Sequence, residues 1–123
     1  MGSGRFEAGL EIRRKVLGAE YVDRALAQAD DFTRPLQEYV TECCWGAVWT
    51  RPGLTLQERS MITLAALVAL GRTHEIKLHV RGALNNGLTR EQIREVLLHV
   101  AAYAGVPAAV DAFRAAQEVF RAT

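Results

Sequence analysis

The chain has 123 residues, half of them apolar, and a formal net charge of +1. That is one domain's length with enough apolar side chains for a core. So balanced a charge excludes the strong field that gathers nucleic acid or an anionic membrane surface. The two cysteines, Cys43 and Cys44, are adjacent, which excludes a disulfide scaffold and any CxxC redox or zinc motif. They read as small packing residues of a reduced compartment, the cytoplasm. The apolar stretches Met61 to Leu70 and Val96 to Val110 fall short of the roughly 20 residues that span a bilayer, so a soluble protein is expected. Met1 to Gly4 is short and Gly/Ser-rich. It does not read as a signal peptide, Gly2 and Ser3 resemble a cloning scar, and residues 1–4 are expected to be disordered.

Apolar spacing is helical along almost the whole chain and nowhere alternates as in a strand. This predicts an all-α, single compact domain of five to six helices over residues 1–123. Phe6 to Leu17 is helical and stops at Gly18; Glu20 to Ala29 follows. Asp30, Asp31 and Thr33 offer caps for a helix reaching Trp49, with Pro35 tolerated in its first turn. Arg51-Pro52-Gly53 is a break. Thr55-Leu56-Gln57-Glu58 has the capping-box pattern and opens a helix to Leu70, apolar nearly all round and so expected to be central and buried. Gly71 ends it. Thr73 to Leu84 is the next helix, closed by Asn85-Asn86-Gly87, and the two form a tight αα-hairpin. A second capping box, Thr89 to Gln92, opens a helix to about Ala104. Gly105 and Pro107 separate that from a last helix ending near Arg121.

The segment Arg72 to Arg81 is chemically dense. It packs His74, His79, Glu75, Lys77 and two arginines into about three turns. At about 100° per residue, Arg72, Glu75 and His79 share a face bordering the apolar stripe of Ile76, Val80 and Ala83. His74, Lys77 and Arg81 fall on the other side. Glu75 and His79 are spaced to touch. A carboxylate there would raise the imidazole's pKa and fix its tautomer, giving a proton donor or acceptor; it would equally make an ordinary surface ion pair. The two histidines are five apart on different faces, which is not the zinc spacing, so no metal site is expected. Arg72 and Arg81 are candidate forks for carboxylates, against the plainer reading of a solvated helix face. Trp45 and Trp49 share a face, as core or, for Trp45, as a wall against a small flat ring. His99, among Leu97, Leu98, Val100 and Ala101, reads as a core or interface histidine. Asp111 and Arg114 read as surface charges. Ser60 has no evident His/Asp partner, and no Gly-rich phosphate loop opens a helix.

The runs RFEAGLEIRRKVLGAEYVDRAL (Arg5 to Leu26), DDFTRPLQEYVTECCWGAVWTRPGL (Asp30 to Leu54) and HEIKLHVRGALNNGLTREQIREVLLHVAAYAGVPAAVDAFRAAQEVF (His74 to Phe120) together resemble the carboxymuconolactone decarboxylase family over nearly the whole chain. The resemblance implies the alkylhydroperoxidase D-like helical fold and a homo-oligomer, a hexamer, with sites near subunit contacts. In the peroxidase branch the corresponding helix carries Cys-x-x-Cys-x-x-x-His. With His79 on that histidine, Arg72 and Glu75 stand where the thiols would be, and the branch's upstream glutamate falls at Ser60. Without the thiols, dithiol redox chemistry is lost.

The reaction implied by the resemblance is loss of CO2 from 4-carboxymuconolactone, a small anionic lactone of aromatic catabolism (the protocatechuate branch of the β-ketoadipate pathway), to give 3-oxoadipate enol-lactone. Electrons from the departing carboxylate pass through the ring double bond onto the lactone carbonyl, and a proton then adds to carbon. The substrate is its own electron sink, so no cofactor is expected. The roles expected are His79 as proton donor or oxyanion partner, Glu75 as its orienting partner and His74 as second-choice acid. Arg72 and Arg81 are expected to clamp carboxylates, Arg81 across a subunit contact, and Trp45 to contact the ring. The rival readings are a thiol peroxidase and a non-catalytic helical assembly module.

Overall fold

The computed structural model describes residues 4–123 and, among them, contains helices and no strand. Seven α-helices run α1 Gly4–Leu17, α2 Ala19–Ala27, α3 Arg34–Tyr39, α4 Leu56–Leu70, α5 Thr73–Asn85, α6 Arg90–Ala104 and α7 Val106–Ala122, with a π-helix over Val40–Trp49 between α3 and α4. The all-α expectation holds. Gly4, expected in a disordered end, opens α1; Met1, Gly2 and Ser3 lie outside the described residues. The chain packs as two compact units that meet at Thr55/Leu56 in sequence.

In the amino-terminal unit, α1 and the π-helix lie against one another. Gly9 and Gly46 make this possible. A Cβ on Gly9 would strike the Thr41 carbonyl and come within 2.7 Å of the Gly46 nitrogen, and one on Gly46 would strike the Arg5 carbonyl. Gly18, at φ 95°, turns the chain from α1 into α2, a backbone region open chiefly to glycine. The turn into α3 is built by Asp30, whose carboxylate accepts from the backbone N–H groups of Phe32 and Thr33, each at 3.0 Å, and from the Thr33 hydroxyl. Those bonds, the Thr33 ones foremost, hold the Asp30 carboxyl below its ordinary pKa. The helix expected to run unbroken to Trp49 therefore does run, but as α3 followed by a π-helix, a rare conformation that concentrates near functional sites.

In the carboxyl-terminal unit, α4 and α5 form the expected hairpin, packed with α6 and α7. Its core is Leu64, Val68, Ile76, Val80, Ala83, Leu88, Ile93, Leu97, Val100, Ala112, Ala115, Ala116 and Val119. Small residues on α7 let that helix approach closely, and the stripe Ala112, Ala115, Ala116, Val119 follows helical spacing. The Thr89 capping box forms: Gln92 N–H donates to the Thr89 hydroxyl at 3.0 Å, and Thr89 N–H to the Gln92 side chain at 2.9 Å.

Burial departs from expectation at two places. Helix α4 is not covered all round: it buries Ser60, Leu64 and Val68, while Ile62 and Leu70 are 55% and 67% exposed. Residues spaced by four make one stripe, and α5, α6 and α7 together cover only part of the circumference. His99 is not a core residue either; it is exposed and stacks on Tyr103 at 5.3 Å between ring centres.

Candidate active site

Helix α5 forms because its apolar residues recur with helical spacing, burying Ile76, Val80, Ala83 and also Leu78 and Gly82. Arg72 sits just before it, extended enough (φ −90°, ψ 75°) to lead the chain in, and its carbonyl accepts from Ile76 N–H at 2.9 Å. The face predicted from helical rotation is occupied unevenly. Arg72 and Glu75 are exposed and His79 is half-buried. On the other side His74 and Arg81 are exposed, while Lys77 reaches α7 and pairs with Glu118 at 2.8 Å. That pairing holds the Glu118 carboxyl below its ordinary range, and it commits Lys77 to the packing of α5 on α7.

His79 is the perturbed group of the segment. Burial disfavours the imidazolium and pushes its pKa from 6.5 down to about 4. This reverses the direction expected from the sequence, where a neighbouring Glu75 carboxylate was to raise it. Glu75 points to solvent and, among the described residues, makes no hydrogen bond or ion pair, so burial of the imidazole decides. A neutral imidazole at pH 7 is a poor acid but a good hydrogen-bond donor through its N–H. Arg72 and Arg81 likewise form no ion pair among the described residues, which leaves both guanidiniums available to an anion.

Trp45 belongs to the amino-terminal unit, where it is buried and stacks on Trp49 with ring centres 4.6 Å apart. That same unit holds a residue the sequence reading passed over. Arg13 is 5% exposed and donates to the Thr41 hydroxyl at 3.0 Å, and that hydroxyl donates in turn to the Gln37 carbonyl at 2.8 Å. Its signal was present: Arg13 falls on the helical stripe of Gly9, Val16 and Leu17 that α1 buries. Ser60, at the position of the peroxidase glutamate, is 1% exposed and accepts from the Asn86 amide at 2.9 Å. Cys43 is half-buried and Cys44 exposed, both within the π-helix, and α5 carries no thiol. Among the described residues no three of His, Cys, Asp and Glu converge as a metal would need, and no helix is long and apolar enough to cross a membrane.

Grooves open elsewhere in the carboxyl-terminal unit. One of about 710 Å³ lies between α6 and α7, floored by Ile93, Leu97, Ala109 and Phe113 with Arg90, Arg94 and Arg114 at its rim. Another of about 440 Å³ lies between α4 and α6 beside Ile62, Val96 and His99. Neither is lined by any of the six residues expected at the site.

The sequence profile of the carboxymuconolactone decarboxylase family matches residues 34–118, from the start of α3 into α7. The chain belongs to the carboxymuconolactone decarboxylase family. Among its family relatives is a protein of Acinetobacter baylyi named 4-carboxymuconolactone decarboxylase, 44% identical over 95% of this chain and 87% of that one. A protein of Metarhizium robertsii named nitrosuccinic acid decarboxylase is 47% identical over 92% of this chain and 79% of that one. A Pseudomonas putida protein named 4-carboxymuconolactone decarboxylase is 43% identical over 34% of this chain and 88% of its own length. The family match leaves out α1 and α2 of the first unit and includes all of α5.

Proposed function

We propose that this chain is a cofactor-independent decarboxylase that converts 4-carboxymuconolactone to 3-oxoadipate enol-lactone and CO2. The observation that carries the reading is the 44% identity, over nearly the full length of both chains, to the Acinetobacter protein of that name. The chemistry of α5 supports it. Cleavage of the ring-carbon-to-carboxylate bond sends an electron pair through the ring double bond to the lactone oxygen. A donor placed at that oxygen lowers the barrier, because such a bond strengthens as charge develops. His79, neutral and half-buried, suits this role better than that of proton donor to carbon. Glu75, one turn away and turned to solvent, is the group proposed to swing onto the imidazole and orient it when substrate binds, and His74, exposed at the helix start, is the second-choice acid. Arg72, on the His79 side of the helix, holds a carboxylate.

Arg81 is nine residues from Arg72 and on the opposite side of α5, so it serves a site in a neighbouring copy. The exposed apolar side chains of α4 and α6, Ile62, Leu70 and Leu98 among them, favour such self-association, and a hexamer is the assembly proposed. A reduced compartment, the cytoplasm, is the location proposed, from the two cysteines that form no disulfide.

A second reading has its own support: the 47% identity to the nitrosuccinic acid decarboxylase makes nitrosuccinate a candidate substrate. The deciding experiment mixes the purified protein with 4-carboxymuconolactone, without added cofactor, and follows CO2 release. Release well above the spontaneous rate is expected, and His79→Ala should lower it by about two to four decades with helicity unchanged. No release above the spontaneous rate would remove the lactone as substrate.

A further inference from the structure

Among the described residues of α5 and its start, one cation on the His79 side is without an ion pair. Lys77 is held by Glu118 at 2.8 Å, Arg81 lies on the opposite side, and Arg72, two turns before His79, is exposed without an ion pair among the described residues. Two turns put their backbones about 11 Å apart along the axis, a separation that two side chains gripping a small ligand between them could bridge. The substrates in question carry two carboxylates, of which one leaves. A cation gripping the leaving carboxylate would stabilise the ground state more than the transition state and so slow the reaction. Arg72, the guanidinium that the subunit itself sets on the His79 side of α5, therefore belongs on the carboxylate that stays.

The two acids weighed above share a skeleton. In each, the carbon that loses CO2 also bears a –CH2–COO⁻ arm and a group that can take an electron pair onto oxygen. That group is the unsaturated lactone in one and the nitro group in the other. Both are succinates substituted at C2. We infer that the site selects this class, 2-substituted succinates whose C2 group is an electron sink, with Arg72 on the retained C4 carboxylate and His79 on the sink oxygen. The ring is dispensable. This rests on the reading of His79 and Arg72 as the decarboxylase site.

The step balances without a further reactant. The bond from C2 to the C1 carboxylate breaks, CO2 departs, and the pair moves onto the nitro or acyl oxygen to give a nitronate or enolate. A proton from water or a neighbouring acid then restores C–H. In the lactone the proton returns to a carbon beside the carbonyl, and in the acyclic acids to C2 itself. What is common to the class is the sink oxygen and the retained carboxylate, and those are what one neutral donor and one cation can recognise.

The test uses the whole protein and CO2 release from 4-carboxymuconolactone, 2-nitrosuccinate and 2-acetylsuccinate. Their counterparts without the retained carboxylate, 2-nitrobutanoate and 2-ethylacetoacetate, are run beside the two acyclic acids. Turnover of all three diacids is expected, with kcat/KM about 10- to 100-fold lower for the monoacids, the worth of one charge-assisted bond. Arg72→Gln should lower kcat/KM for the diacids by a similar factor, leave the monoacids unchanged and weaken competitive inhibition by succinate to the same extent. A merely structural Arg72 would affect diacids and monoacids alike, and that result overturns the inference. So does turnover of the lactone with both acyclic diacids left at their spontaneous rates, in which case the decarboxylase reading stands. Failure on all three diacids overturns both.

Discussion

Asn86 donates from its side-chain amide to the Ser60 hydroxyl at 2.9 Å and to the Leu56 carbonyl at 3.3 Å, fastening the end of α5 to the first turns of α4. Ser60 is almost wholly buried, so the bond is shielded and its loss leaves a hydroxyl without that donor. Asn86→Ala should cost about 1–2 kcal/mol, the usual penalty for unpairing a buried polar group, seen as a lower urea midpoint at unchanged slope. Combined with Ser60→Ala, the two effects should fall short of additivity by about 0.5–1.5 kcal/mol. Strict additivity would show the bond to be energetically idle.

Burial of His79 makes stability depend on pH in a stated direction. The folded imidazole has a pKa of about 4, against 6.5 for an exposed one. Above pH 6.5 both states are neutral and the group contributes no slope. As pH falls from 6.5 towards 4 the unfolded chain takes up a proton that the folded chain refuses, so stability is lost, in total by about 3 kcal/mol. His79→Gln cannot titrate, and the difference between its unfolding free energy and the parent's should shrink or change sign across that window. Parallel curves from pH 7 to 4 would mean that His79 titrates normally. Turnover should likewise hold between pH 8 and 5 so far as His79 governs it, since its neutral form persists.

Much of this was legible in the sequence because helices announce themselves by spacing and punctuation. Thr89 with Gln92, Gly18 and the Asn85-Asn86-Gly87 stop all act within a few residues of chain, and all fall where their chemistry placed them. What was not legible depends on what lies across from a residue. Apolar side chains at Ile62 and Leu70 promised a buried α4, yet a pattern does not say how many neighbours there are to cover it. Glu75 was well spaced for His79, but spacing fixes reach and not choice, and solvent took the carboxylate while packing took the imidazole. Arg13 drew no expectation, because an arginine on an otherwise apolar stripe, here that of Gly9, Val16 and Leu17, shows its burial only once the helix packed against it is known.

Arg13 and Thr41 offer a test of that buried polar chain. The guanidinium donates to a hydroxyl that is itself committed to the Gln37 carbonyl, so Thr41 links α1 to the turn where α3 becomes the π-helix. Thr41→Val keeps the shape and removes the acceptor. A hydrogen bond from a charged donor is worth about 1.5–3 kcal/mol, and a loss of that size in thermal or urea unfolding is expected. Thr41→Ser, which keeps the hydroxyl, should recover most of it. If valine is tolerated as well as serine, the guanidinium draws its stabilisation from elsewhere.

Gly9 sets how closely α1 and the π-helix approach. An alanine would ordinarily strengthen a helix by up to about 1 kcal/mol over glycine, so propensity alone predicts a gain. The added methyl, however, meets backbone, the Thr41 carbonyl and the Gly46 nitrogen, and backbone cannot swing aside as a side-chain tip can. Overpacking of this kind costs about 1–3 kcal/mol or more, which outweighs the gain. Gly9→Ala should therefore destabilise, and Gly46→Ala with it, since its Cβ meets the Arg5 carbonyl. Gly4, in the same helix with open space around its Cβ position, supplies the control: Gly4→Ala should be neutral or slightly stabilising. Equal effects at Gly4 and Gly9 in urea unfolding would mean that the two helices separate easily, and that the close crossing is not what holds the π-helix in place.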